Sequence, residues 1–103
     1  DGIRDEGLLE SAIARPLNAF AYGEDNLIVL SALYAAGIAK NHPFLDGNKR
    51  TAFVASEVFL DLNGMELFAT DDEALAAMLS LASGEWDERD YALWLNEFTR
   101  PED

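Results

Sequence analysis

The sequence predicts an all-α fold, a compact helical bundle around one buried central helix, and three observations support that class. Apolar residues recur with helical spacing in five separate stretches, and glycine or proline punctuates most of the connections between them. Half of the 103 residues are apolar, so the chain can bury one core and forms a single domain, residues 1–103. One stretch alternates like a strand, residues 65–68, and it is too short to make a sheet alone.

Capping and stop signals set the predicted helix boundaries. Pro16 ends the first helix, because proline disfavours the helical conformation of the residue before it. Gly64 and Gly84 are stop signals, and Thr70 with Glu73 fits a capping box. The third helix is apolar nearly all round and is therefore predicted to be the central one. The predicted helices cover residues 6–14, 24–40, 48–63, 71–82 and 88–99.

Four further expectations concern packing and chain ends. Residues 17–23 form a predicted loop whose Phe20 and Tyr22 pack as a lid on the core, with a substrate-facing ring as the alternative. Gly37 costs up to about 1 kcal/mol of helix propensity relative to alanine, so it predicts tight packing against another helix. Pro101 is expected to close the ordered part, with a frayed acidic tail. A small β-hairpin flap is expected near the N-terminus.

Composition narrows the classes of partner. Seven lysines and arginines against twenty acidic residues give a net charge of −13, which repels nucleic acid and anionic membranes and attracts basic protein segments. The absence of cysteine excludes disulfides and cysteine-based zinc sites. No apolar run has the length of a membrane span, and no signal peptide is visible, so a cytoplasmic location is expected. The sequence starts at Asp1 without methionine, which suggests a missing N-terminal segment.

An anion-binding pattern lies between the second and third helices, in residues 42–50 (HPFLDGNKR). Gly47 can take a positive φ or let a ligand approach the backbone, and the helix that starts at Asn48 aims free N–H groups at the loop. Lys49 and Arg50 lie at the helix end where the dipole disfavours cations, which indicates a bound anion such as phosphate. Asn48 as a plain N-cap and the two cations as solvated charges are the structural alternatives.

The same stretch supplies a base and a metal ligand. His42 is the only histidine and has an ordinary pKa near neutrality, which suits a general base. Asp46 offers carboxylate oxygens suited to Mg²⁺, which binds through one or two carboxylates plus substrate phosphates. A capping histidine and an Asp-Gly turn are the structural alternatives for these two residues.

The stretch resembles the signature of the Fic/Doc superfamily, H-P-F-x-[D/E]-G-N-x-R, and Lys49 resembles the death-on-curing branch. Residues 2–5, 8–12, 15–16 and 20–23 are similar to the segment that precedes the motif in that branch, and residues 59–64 to the segment that follows it. The resemblance implies a helical bundle of the Fic/Doc type with a flap that positions the target upstream of the motif.

The resemblance also implies a function, a toxin that transfers a phosphate-containing group from ATP or another nucleoside triphosphate to a protein hydroxyl. His42 would be the catalytic base, Asp46 would hold Mg²⁺, and the nucleotide phosphates would be bound by Gly47, Asn48, Lys49 and Arg50. The lysine at position 49 favours phosphoryl transfer, and AMP transfer is the alternative. Expected partners are a translation elongation factor as target and an antitoxin that inhibits in trans. A non-enzymatic acidic binding module is the rival from a different class.

Overall fold

The computed structural model of the chain describes residues 6–41 and 48–102, and for Asn41 and Asn48 the backbone alone. Within these residues it confirms the all-α class, with five helices and one two-stranded sheet. The elements are α1 (Glu6–Ala21), α2 (Leu27–Asn41), α3 (Asn48–Leu62), β1 (Met65–Leu67), α4 (Asp71–Ser83), α5 (Glu88–Glu97) and β2 (Thr99–Pro101). No helix in these ranges combines the length and the apolar character needed to cross a bilayer.

The central helix is α2, and the expectation that the third helix is central is wrong. α2 packs against α1, α3, α4 and α5, and its Ala35 and Ala36 are fully buried. Small side chains let the neighbouring helices approach α2 closely on several sides. α3 exposes one apolar stripe to solvent, formed by Val54, Val58 and Leu62. α2 is also the more apolar helix in sequence, since Lys40 is its one charged residue whereas α3 carries four, so hydrophobicity was the available signal.

α1 continues through Pro16 to Ala21, so the predicted end at residue 14 is also wrong. Pro16 is buried, and its missing N–H removes the helical hydrogen bond to the carbonyl of Ala12. α2 crosses at that carbonyl, because a Cβ built on Gly37 would lie 2.9 Å from the Ala12 oxygen. Burial of Pro16 and the close helix crossing offset the lost hydrogen bond. The tight packing predicted from Gly37 is confirmed.

Local capping chemistry is where the sequence predictions hold. Thr70 Oγ1 accepts from the Glu73 N–H at 3.2 Å, and the Glu73 carboxylate accepts from the Thr70 N–H at 2.8 Å, which completes the capping box of α4. Gly64 and Gly84 follow α3 and α4 with φ of 79° and 84°, as stop signals require. These residues contact their own helix ends, so their roles depend little on the rest of the fold.

The start of α2 is set by Asn26 rather than by Glu24 or Asp25. Its Oδ1 accepts from the N–H groups of Ile28 and Val29 at 2.9 and 3.2 Å. An asparagine side chain at this position satisfies two of the donors that the first helical turn leaves free. The helix therefore begins later than predicted.

The short strand β1 finds its partner at the end of the chain. β1 and β2 are antiparallel, with Met65 opposite Pro101, and the Glu102 N–H donates to the Gly64 carbonyl at 2.9 Å. The prediction that helix reaches residue 99 is therefore wrong, and a backbone hydrogen bond orders Glu102, where fraying was expected. Asp103 lies outside the described residues. Because its two strands are more than thirty residues apart, the sheet is not a hairpin. Residues 1–5, nearest to the expected flap, lie outside the described residues.

Candidate active site

The candidate site lies between two helices that pack against each other, α2 and α3, which residues 42–47 connect. α2 ends at Asn41 and α3 begins at Asn48, so the motif follows one helix and opens the next. The predictions for His42, Asp46 and Gly47 fall outside the described residues and stay predictions, as does the role of the Asn48 side chain. The structure describes the two helices that this segment connects, α2 and α3.

The first turn of α3 presents its two cations to solvent. Lys49 and Arg50 are exposed, whereas Ala52 is fully buried against the core. Neither cation forms an ion pair with a carboxylate in residues 6–41 or 48–102. A helix N-terminus with two exposed cations on its first turn is suited to bind a multiply charged anion. The described half of the predicted phosphate cradle therefore has a favourable electrostatic setting.

The last turn of α2 is held by a cluster of three charged side chains. Glu88 is the first residue of α5, and its Oε1 accepts a hydrogen bond from the Arg15 guanidinium of α1 at 2.9 Å. Its second oxygen, Oε2, accepts from the Lys40 ammonium of α2 at 3.5 Å. The backbone N–H of Glu88 itself, then Arg15 and Lys40, hold the pKa of the Glu88 carboxyl below its ordinary value. One carboxylate thus connects three helices, beside the point where α2 leads into the motif.

The turn that carries Glu88 is fixed by its own capping box. Asp87 Oδ1 accepts from the N–H groups of Arg89 and Asp90 at 2.9 and 3.0 Å, and Asp90 Oδ2 accepts from the Asp87 N–H at 3.0 Å. The backbone N–H of Asp90 and then that of Arg89 lower the pKa of the Asp87 carboxyl. Glu88 therefore projects from a well-defined helix start.

A buried chain of hydroxyl groups connects α2, α3 and α5. Ser31 Oγ donates to the Ser56 carbonyl at 3.0 Å, and Ser56 Oγ donates to the Phe53 carbonyl at 2.8 Å. Because the Ser56 hydroxyl hydrogen is used in this way, the Tyr91 hydroxyl donates to Ser56 Oγ across 2.7 Å. Burial raises the pKa of the Tyr91 hydroxyl. Three helices are thus joined by polar contacts away from solvent.

An apolar cleft of about 250 Å³ lies at the opposite end of the α2–α3 pair. Its floor is the start of α2, and its walls are the end of α1 and the end of α3. Leu30 and Phe59 are each eleven residues from the helix end beside the motif, which is roughly 16 Å along a helix. The cleft is lined by Pro16, Leu17, Phe20, Asp25, Leu27, Leu30, Tyr34, Phe59 and Asn63. No lysine, arginine or histidine is among the described residues that line it, so this lining is unsuited to phosphate.

The cleft corrects the prediction for the aromatic residues near the end of α1. Phe20 is 63% exposed and Tyr22 is 93% exposed, so neither packs as a lid on the core. Phe20 belongs to a helical stripe with Ile13 and Leu17, which faces the cleft side of α1. This stripe was missed because the helix was expected to end before Pro16. Its spacing over residues 13–20 was the available signal.

Comparison with known proteins identifies relatives that share the motif region. The family model described as the Fic/DOC family matches residues 1–60. The chain is 45% identical to Toxin Doc of Mycolicibacterium smegmatis over 73 residues, which cover 68% of this chain and 55% of that protein. It is 38% identical to Protein kinase doc of Escherichia phage P1 over 86 residues, which cover 82% of this chain and 67% of that protein. The chain thus spans between half and two thirds of the length of these curated relatives.

Proposed function

Because the chain belongs to the Fic/DOC family, we propose that it is a Doc-like toxin that transfers the γ-phosphoryl group of a nucleoside triphosphate to a protein hydroxyl. The observation that carries the proposal is the exposed cation pair Lys49 and Arg50 on the first turn of α3, directly after a histidine motif, with no carboxylate partner in residues 6–41 or 48–102. The name of the phage relative, a protein kinase, supports phosphoryl transfer.

In this mechanism His42 accepts the proton of the attacking serine, threonine or tyrosine hydroxyl. A bond forms between that oxygen and the γ-phosphorus, the bond from the γ-phosphorus to the bridging oxygen breaks, and the nucleoside diphosphate leaves with the electron pair. Lys49, Arg50 and the first N–H groups of α3 stabilise charge on the phosphoryl group and on the leaving group. The protein contributes mainly position and electrostatics, as is usual for this chemistry.

Magnesium fits the residue types of the motif, because a carboxylate and nucleotide phosphates supply the oxygen ligands that this ion prefers. Asp46 is the residue that would hold Mg²⁺, together with oxygens of the nucleotide. The bound ion would offset negative charge on the β- and γ-phosphates. Within residues 6–41 and 48–102, no cluster of three histidine or acidic side chains offers another metal site.

Lys49 is the basis for preferring phosphoryl transfer to AMP transfer. AMP-transferring members of the family usually carry glycine at this position, which leaves room for an α-phosphate at the cradle. The exposed lysine on the first turn of α3 fills that room and favours the γ-phosphate as the transferred group. AMP transfer to a protein hydroxyl is the alternative outcome of the same site.

The proposed partners are a translation elongation factor as the target and an antitoxin as the inhibitor. The apolar cleft supports a docked partner, because Phe20 and Leu17 expose ring and aliphatic surface on its wall. The net charge of −13 favours a partner helix with one apolar face and basic flanks. The cleft also fits the rival function, a binding module without catalysis.

The mass of the target after incubation with ATP and Mg²⁺ tests the proposal. A gain of about 80 Da per site indicates phosphate and a gain of about 329 Da indicates AMP. His42→Ala is expected to lower the rate by at least about 10²-fold while circular dichroism and the melting temperature stay unchanged. Undiminished transfer by this variant would remove His42 from the mechanism. An unmodified target, with no ATP binding in calorimetry, would favour the binding module.

A further inference from the structure

One turn of α5 contacts both helices that carry the motif. Glu88 Oε2 lies 3.5 Å from the Lys40 ammonium, one residue before the end of α2. Tyr91, three residues later, is fully buried and its hydroxyl lies 2.7 Å from Ser56 Oγ of α3. Residues three apart lie on the same face of a helix, so one face of α5 reaches α2 and α3 together.

We infer that Glu88 is a positioning residue for the transfer reaction: through Lys40 it fixes the last turn of α2, while Tyr91 fixes α5 against α3. The inference rests on the proposed function for its kinetic consequence. Its structural basis is the contact between described side chains, and it does not require Glu88 to touch substrate.

The proposed base follows one helix, and the proposed phosphate-binding residues belong to another. Because of this separation, the inference predicts different effects on kcat and on KM. The proposed base, His42, directly follows α2, whereas the proposed phosphate-binding residues Lys49 and Arg50 belong to α3. A small displacement of the end of α2 relative to α3 would leave nucleotide binding intact and misalign the base. Misplacement of a reacting group by about 1 Å can cost roughly 10²-fold in rate, and even a smaller displacement lowers kcat.

Arg15 provides an internal comparison, because it also pairs with the Glu88 carboxylate but belongs to α1 rather than α2. Its bond to Glu88, at 2.9 Å, is shorter than that of Lys40, yet α1 does not enter the motif. If Glu88 contributes only to overall stability, loss of the shorter Arg15 hydrogen bond should lower kcat at least as much as loss of the Lys40 contact. If Glu88 positions the end of α2, loss of Lys40 should reproduce loss of Glu88 and loss of Arg15 should not.

The experiment compares four single variants of the full chain, Glu88→Gln, Lys40→Gln, Arg15→Gln and the control Glu97→Gln, at the far end of the same helix. Glutamine keeps the length of each side chain and removes its charge. We expect kcat for target phosphorylation to fall about tenfold in the first two variants, with KM for ATP within twofold of wild type. Arg15→Gln and Glu97→Gln should stay within twofold in both constants. The double variant Lys40→Gln with Glu88→Gln should be no slower than either single variant, because both remove the same contact.

Two further measurements separate positioning from a loss of active protein. Calorimetric stoichiometry for ATP should stay at the wild-type value in Glu88→Gln, which shows that the lower kcat is not a lower fraction of folded protein. Amide hydrogen exchange of residues 36–41 should be faster in Glu88→Gln and Lys40→Gln, and unchanged in Arg15→Gln. This second readout needs no turnover.

The outcomes overturn the inference in defined ways. Equal loss of kcat in Arg15→Gln and Lys40→Gln, or a rise in KM for ATP with unchanged kcat, contradicts it. Unchanged exchange of residues 36–41 in Glu88→Gln contradicts the anchoring contact itself. If wild type transfers no group but exchange rises as expected, the proposed function fails while the anchoring of α2 by Glu88 stands.

Discussion

The two ends of α2 are built in opposite ways. At the end beside the motif, Gly37 lies against the backbone of α1 and the last turn is tied to α5 through Lys40. At the other end, Leu27 and Leu30 line an apolar cleft between the ends of α1 and α3. One helix is therefore closely packed beside the motif and lines an apolar cleft about three turns away.

Side-chain size accounts for the difference. Toward the motif α2 carries alanine at positions 35, 36 and 39 and glycine at 37, so neighbouring helices approach its backbone. Toward the cleft, the rings of Tyr34 and Phe59 contact each other with centroids 5.2 Å apart. Bulky residues there hold the helices apart, and the space between them is left open. The comparison shows that packing at each end follows from residue volume rather than from hydrophobicity.

The largest expected effect separates the two ends by a matched pair of deletions. Ile38 and Leu30 are almost equally buried, at 5% and 4% exposure. Ile38→Ala should destabilise the protein by about 2–5 kcal/mol, because the surrounding helices cannot collapse into the cavity. Leu30→Ala should cost about 1 kcal/mol less, because its lost volume joins an existing cleft. Urea unfolding of both variants measures the difference, and equal costs would contradict the contrast between the ends.

A smaller effect is expected from adding one methyl group at the helix crossing. Gly37→Ala places a Cβ 2.9 Å from the Ala12 carbonyl oxygen and should destabilise by about 1–3 kcal/mol despite the better helix propensity of alanine. Asn96→Ala, at an exposed position of α5, is the control and should be neutral or slightly stabilising. The measurement is the midpoint of thermal unfolding. An increase in stability for Gly37→Ala would show that the crossing is not tightly packed.

The charged cluster at the motif end should give a pH-dependent contribution. The pKa of Glu88 lies below its ordinary value of 4.5 in the folded protein, so its ion pairs stabilise the fold above that value. This contribution is lost as the pH falls through the lower, folded-state pKa. The difference in unfolding free energy between wild type and Glu88→Gln should therefore be constant from pH 7 to 5 and shrink below 4.5. A difference that grows on acidification would have the wrong sign.

The smallest effect on stability is expected at the cleft end of α2, where the measured quantity is binding of the antitoxin. Phe20→Ser should change the free energy of unfolding by less than about 0.5 kcal/mol, because the ring is largely exposed. It should weaken binding of the cognate antitoxin by at least about tenfold, as expected for an aromatic anchor. Leu93→Ser is the matched control, since Leu93 is 73% exposed on α5 and does not line the cleft. Equal binding by both variants would remove the cleft from the interface.

Apart from the tight packing at Gly37, the details of the fold that were predicted correctly are those decided by neighbours in sequence. The capping box of Thr70 and Glu73 and the stop signal of Gly64 act within one helical turn, so local chemistry was enough. The continuation of α1 through Pro16 depends on burial against α2, and the pairing of β1 joins residues more than thirty positions apart. Tertiary contacts of this kind outweigh local propensity.

For the candidate site too, local sequence predicted some residues and missed others. Residue types and order in the motif were sufficient to select Lys49 and Arg50, and the structure places both on the exposed first turn of α3. The contacts of Glu88 could not be predicted, because its two partners come from helices far away in the sequence. The roles of the predicted site residues all stay predictions: His42, Asp46, Gly47, Asn48, Lys49 and Arg50.

The hydrogen bond from Glu102 to Gly64 has a practical consequence for experiments on immobilised protein. It places the carboxyl-terminal residues beside the end of α3, roughly 22 Å of helix away from Lys49 and next to Asn63 on the cleft wall. A biotin or affinity handle joined after Glu102 would leave the nucleotide end facing the solution and crowd the cleft. Tethering through this point should therefore slow antitoxin capture while leaving ATP capture unaffected.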